Sequence, residues 1–129
     1  MVRLSAEREE KKLTRWRRVA IAACEQCGRN RVPEIREAMT VEGYSRKPGA
    51  ASLRLLLSPQ GKSGLKDVQG KIEHAVTLAA GPEAGFSDEE ERLFERAGFL
   101  SVRLGPRILR TETAALAALA ALNALAGDF

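Results

Sequence analysis

From Ser5 onward, apolar residues recur three and four positions apart: Leu13, Trp16, Ala20, Ala23, Cys24 and Cys27. That spacing predicts one long amphipathic helix. Ser5 can cap it, and the early acids of "AEREEKK" suit the positive end of its dipole. Gly28 is a natural stop, and Pro33 excludes continuation. "EIREAMTV", residues 34–41, predicts the start of a second helix, and "GYSRKPGAAS" reads as a connection.

Beyond it the pattern changes from helical stripes to short continuous runs. "LRLLLSP" from Leu53 predicts a strand buried on both faces. A second strand is expected over roughly His74 to Ala79, and a third in "FLSVRLGP". Each runs straight into a loop containing Ser, Gly or Pro. "GKSGLKDVQGK" between the first two is polar and turn-rich. Ser87 with Glu90 three residues on is a capping-box signature for a helix that stops at Gly98. A cap at Thr111 or Thr113 begins the last helix, which ends near Gly127. Strands alternating with helices predict an α/β fold with a mostly parallel sheet flanked by helices. Ligands bind such sheets outside the carboxyl ends of the strands. The loops "SPQG", "GPEAG" and "GPRILRTET" would all lie there.

Composition narrows the picture. A chain of 129 residues fits one domain with a real core. No apolar run approaches the roughly 20 residues of a membrane span, and "MVRLSAEREEKK" lacks a signal peptide's apolar segment, which makes the cytoplasm the expected location. Residues 1–47 hold 12 Lys/Arg against 7 Asp/Glu, whereas residues 48–129 hold 9 against 10. A basic first third suits a polyanionic partner, and a solvated helix face would look the same. "CEQC" has no second Cys pair to complete a zinc site and no preceding strand to suggest redox chemistry. Cys24 and Cys27 are therefore expected as a packed, reduced pair at a helix end, with no metal. His74, alone at the start of its strand, is expected to be structural.

The loops carry the candidate chemistry. In "AAGPEAGFSDEE", Gly81 and Gly85 permit close backbone approach or positive φ, and Pro82 stiffens the turn. Neither a dinucleotide fingerprint nor a phosphate loop is present, since GxGxxG is absent and "GKS" lacks its upstream glycine. In "LGPRILRTETA", Arg107 and Arg110 stand before a helix start whose free N–H groups attract anions. An ordinary capped turn would explain the same residues. Glu83 and Glu112 are acidic candidates that serve equally as complements of a helix dipole.

Taken together, "IAACEQCGRNRVPEI", "LAAGPEAGFSDEEE", "LGPRILRTETAALAAL" and the final "GDF" resemble the bacterial ribosomal RNA small-subunit methyltransferase E family. That family belongs to the SPOUT superfamily of trefoil-knotted, S-adenosylmethionine-dependent methyltransferases. The resemblance spans essentially all 129 residues. It implies methylation of a uridine of 16S rRNA at N(3), in a pocket of three loops that hold the cofactor largely through backbone groups. By motif, the first loop supplies Leu57, Ser58 and Pro59. The second supplies Ala80, Gly81, Pro82, Glu83 and Gly85. The third supplies Leu104, Gly105, Ile108, Leu109, Arg110 and Thr111. The family's second motif usually ends in two glycines, whereas here Ala84 precedes Gly85.

The resemblance further implies a C-terminal trefoil knot and a homodimer with the first and last helices near its interface. Relatives carry an N-terminal PUA-like RNA-binding domain and a first strand and helix, so the chain is expected to be an N-terminally truncated, single SPOUT domain over residues 1–129. On this reading Arg110 is expected to stabilise the base as it becomes anionic, and Glu25 to accept its proton. Arg29, with Arg31, is expected to meet the 16S rRNA of the small subunit. The alternatives are a non-catalytic cofactor-binding or dimerisation fragment, and a related enzyme with another RNA target.

Overall fold

The computed structural model describes residues 5–49 and 53–129, in two compact units, Met1–Met39 and Thr40–Phe129. Helix α1, Ala6–Cys27, dominates the first. The Ser5 hydroxyl accepts from the Arg8 amide at 3.3 Å, and Gly28 closes the helix at φ 79°, a left-handed conformation that costs glycine nothing. Leu13 and Cys24 are its buried residues, while Trp16 is exposed.

The cysteines are not the packed pair expected. Cys24 is buried, but Cys27, the last residue of the helix, is exposed. The segment after Gly28 also differs from expectation: residues 33–40 form no helix. The Cys24 thiol lies 3.8 Å from the Arg31 carbonyl, and Arg17 Nη2 donates to the Ile35 carbonyl at 3.2 Å. Seven residues back along α1 is about 10 Å. Four extended residues span about 13 Å, whereas four helical ones would reach only about 6 Å. A segment longer than four helical residues allow suits both contacts.

In the second unit the helix arrives later than expected, as α2, Val41–Arg46, beginning on the last residue of the predicted segment and running into the stretch read as a connection. Thr40 sets its start by accepting from the Gly43 amide at 3.0 Å. Residues 50–52 of that connection lie outside the described residues. The chain continues through β1 (Leu53–Leu57), β2 (Ser63–Gly64), α3 (Leu65–Val68), a 3-10 turn (Gln69–Lys71), β3 (Val76–Ala79), α4 (Asp88–Arg96), β4 (Leu100–Arg103) and α5 (Thr111–Ala126).

The four strands form one parallel sheet in the order β2-β4-β1-β3. Alternation along the central strand β1 divides the core between its two faces. Leu53 and Leu55 pack with Val68, Val102 and Leu122 on one side. Leu56 packs with Phe94 and Phe99 on the other. Burial on both faces is why β1 is apolar at every position but Arg54, whose guanidinium donates to the carbonyls of Ala97 and Gly49. β2 lies in the segment read only as turns. The second strand is shorter than expected, so His74 lies two residues before it and is exposed.

Candidate functional site

At the carboxyl ends of β1, β3 and β4, three loops meet. The first is tied to the sheet: the Ser58 amide donates to the Val102 carbonyl, and the Gly61 amide to the Ser58 carbonyl, both at 2.9 Å. Ser58 is buried, and Gln60 donates its amide to the Ser58 hydroxyl at 3.3 Å. Gly61 lies so close to β4 that a Cβ would run into the backbone of Val102 and Arg103.

The second loop folds back on itself. A Cβ on Gly81 would sit 3.0 Å from the Phe86 amide nitrogen, and the Gly85 amide donates to the Pro82 carbonyl at 2.7 Å. Gly85, at φ 76°, is the residue of this loop with a positive φ; Ala84 is not. The alanine therefore occupies backbone open to any residue. Phe86 anchors the loop by packing on Phe94, ring centroids 4.9 Å apart. Directly after it, Ser87 and Glu90 form the expected capping box, at 3.0 and 3.1 Å.

The third loop begins its turn at Gly105, φ 75°, and leaves Ile108 80% exposed. It ends in a correction to the expected cap. Arg110 is the N-cap of α5 and makes no side-chain capping bond; Thr111 is already helical. The Thr111 hydroxyl donates instead to the Pro82 carbonyl of the second loop, at 3.0 Å.

The loops enclose a cavity of about 390 Å³, within the roughly 300–1,000 Å³ typical of small-molecule sites. Of the residues singled out by motif, Leu57, Ser58, Pro59, Ala80, Gly81, Glu83, Gly85, Leu104, Ile108, Leu109 and Thr111 line it. Pro82 and Gly105 shape the loops without lining the cavity. Arg110 faces an adjoining pocket of about 370 Å³ with Glu83, Thr111 and Glu112. Glu25 lies on α1 and Arg29 just beyond it, both in the first unit.

Sequence reasoning missed Gln60, Phe86, Asp88, Glu91, Val102 and Ala114 as lining residues, and it preferred Arg110 to Arg107. Asp88 and Glu91 fall in the first turn of α4, a place where acids complement the helix dipole and so give no separate signal of a site. Glu83, Asp88 and Glu91 set three carboxylates against the single guanidinium of Arg107 in the cavity wall. That imbalance favours a ligand carrying positive charge. Among the described residues no cluster of His, Cys, Asp and Glu is placed to hold a metal, and no helix is long and apolar enough to cross a membrane.

Comparison with known proteins gives a consistent picture. Residues 1–123 match the model of the RNA methyltransferase domain family. The chain is similar to ribosomal RNA small subunit methyltransferase E of Buchnera aphidicola, 36% identical over 118 residues that cover 92% of this chain and 46% of the relative. Among solved structures it is similar to ribosomal RNA small subunit methyltransferase E of Neisseria gonorrhoeae bound to S-adenosylmethionine. There the TM-score is 0.88 at 40% identity, covering 100% of this chain and 54% of that one. A methyltransferase of Legionella pneumophila in complex with the same cofactor gives a TM-score of 0.86 at 44% identity, covering 96% of this chain and 50% of that one. The chain thus spans about half the length of the relatives it matches.

Proposed function

The chain belongs to the RNA methyltransferase domain family, and from that premise we propose that it binds S-adenosylmethionine in the three-loop cavity and methylates a uridine of small-subunit 16S rRNA at N(3). The observation that carries this reading is the convergence of all three loops on one cavity with an excess of carboxylates. The fit is chemical as well as spatial. S-adenosylmethionine bears a sulfonium and an ammonium group, and Glu83, Asp88 and Glu91 supply the opposite charge. Apolar walls from Leu57, Val102, Leu104, Ile108 and Leu109 suit an adenosine ring. When bound, the cofactor supplies an electrophilic methyl group.

The chain's own part is to orient and to manage charge. The closed second loop and the tethered first loop hold their backbone groups in fixed directions, which lowers the ordering cost of binding. Arg110, in the pocket beside the cavity, is assigned to stabilise the uracil as its N(3) proton leaves. Glu25 is assigned as proton acceptor, and Arg29 with Arg31 as contacts to the rRNA backbone. The trefoil knot, the single domain, a homodimer and a cytoplasmic location belong to the same proposal.

The test is to incubate the chain and S-adenosylmethionine with small ribosomal subunits that lack the modification, then analyse the rRNA nucleosides by mass spectrometry. N(3)-methyluridine is the expected product. Cofactor binding without any methylated nucleoside would instead identify a non-catalytic cofactor-binding module. A different methylated nucleoside would identify another RNA target.

A further inference from the structure

Thr111 stands at the first helical position of α5, one residue past the N-cap Arg110, so its hydroxyl is not committed to capping the helix. It reaches across 29 residues to the Pro82 carbonyl, at 3.0 Å. That same carbonyl accepts the Gly85 amide at 2.7 Å. A carbonyl oxygen has two lone pairs, so this one is fully used. The Gly85 bond closes the second loop on itself. The Thr111 bond then fastens the closed loop to the base of the third.

Both loops line one cavity, with Gly81 and Gly85 from the second and Leu104 and Ile108 from the third. Both turn at glycines of positive φ, Gly85 and Gly105, where backbone freedom is greatest. Two such loops, left untied, must be ordered against each other at every binding event, and a bond already made before binding removes that cost. We propose that Thr111 is a positioning residue whose hydroxyl holds the second and third loops at the separation the ligand requires. It acts through Pro82, by contact with protein. This inference takes its ligand from the proposed function and is otherwise independent of it.

The experiment compares the 129-residue chain with Thr111→Val, which keeps shape but removes the donor, and Thr111→Ser, which restores it. Thr111→Ala replaces the valine variant if that one fails to fold, as judged by circular dichroism. Two readouts are taken: the Kd for S-adenosylmethionine by calorimetry, and the exchange rate of the Gly85 amide by NMR. Thr111→Val is expected to weaken binding about tenfold and to speed Gly85 exchange. Thr111→Ser is expected to return both to within about threefold of the parent, because one hydroxyl restores the same bond. Unchanged exchange and affinity in Thr111→Val would overturn the proposal, and so would a serine variant that rescues neither. A parent chain that binds no S-adenosylmethionine, with Gly85 exchange still raised by valine and restored by serine, would uphold the loop tie and overturn the choice of ligand.

Discussion

At Gly61 a single added methyl group would collide with the backbone of Val102 and Arg103, since the first loop lies directly against β4 and Arg103 Nη1 donates to the Gly61 carbonyl at 3.0 Å. Backbone cannot swing aside as a side chain can. Gly61→Ala is therefore expected to lower stability by about 1–3 kcal/mol, measured by urea unfolding. Charge in the cavity gives a second prediction at this scale. Neutralising Asp88 and Glu91 together, as Asp88→Asn and Glu91→Gln, removes two of the three carboxylates in the wall. At about 0.2–1 kcal/mol for each partly exposed charge, the Kd for S-adenosylmethionine should rise about two- to thirtyfold. S-adenosylhomocysteine, which lacks the sulfonium charge, should be affected less. Equal weakening of the two ligands in parallel calorimetric titrations would contradict the electrostatic assignment.

Among the elements, α4 does most to couple core and site. Its capping box fixes where the helix starts, and Phe94 on its inner face holds Phe86 of the second loop and Phe99, at 4.9 and 5.0 Å between ring centroids. Ser87→Ala should cost about 1 kcal/mol and Phe94→Ala about 3–5 kcal/mol in the same unfolding assay. Only the second should also weaken ligand binding in the fraction that remains folded. Elements with a strong local signal were legible in the sequence: β1 and β4 as apolar runs, α4 from Ser87 and Glu90, the end of α1 from Gly28. β2 was not, because two residues pairing with β4 carry no pattern. Residues 34–41 misled because their helical spacing is local, while the contacts from Arg17 and Cys24 to Ile35 and Arg31 are not. In the site, glycine and proline marked all three loops. Which arginine enters the cavity depends on the chain's direction after Gly105, which no spacing rule contains.

For the molecule as a whole, the family match runs over residues 1–123, through both compact units, while the sheet, its two-sided core and the three-loop cavity all belong to Thr40–Phe129. The central claim is that this cavity is the S-adenosylmethionine site. The most direct measurement is an amide NMR titration of the isotope-labelled chain with S-adenosylmethionine. The account predicts saturable shifts concentrated at Ser58, Gly81, Gly85, Leu104, Ile108 and Leu109, with α1 amides as the comparison. An absence of shifts at millimolar cofactor, or shifts that saturate elsewhere and leave these six amides unmoved, would contradict it.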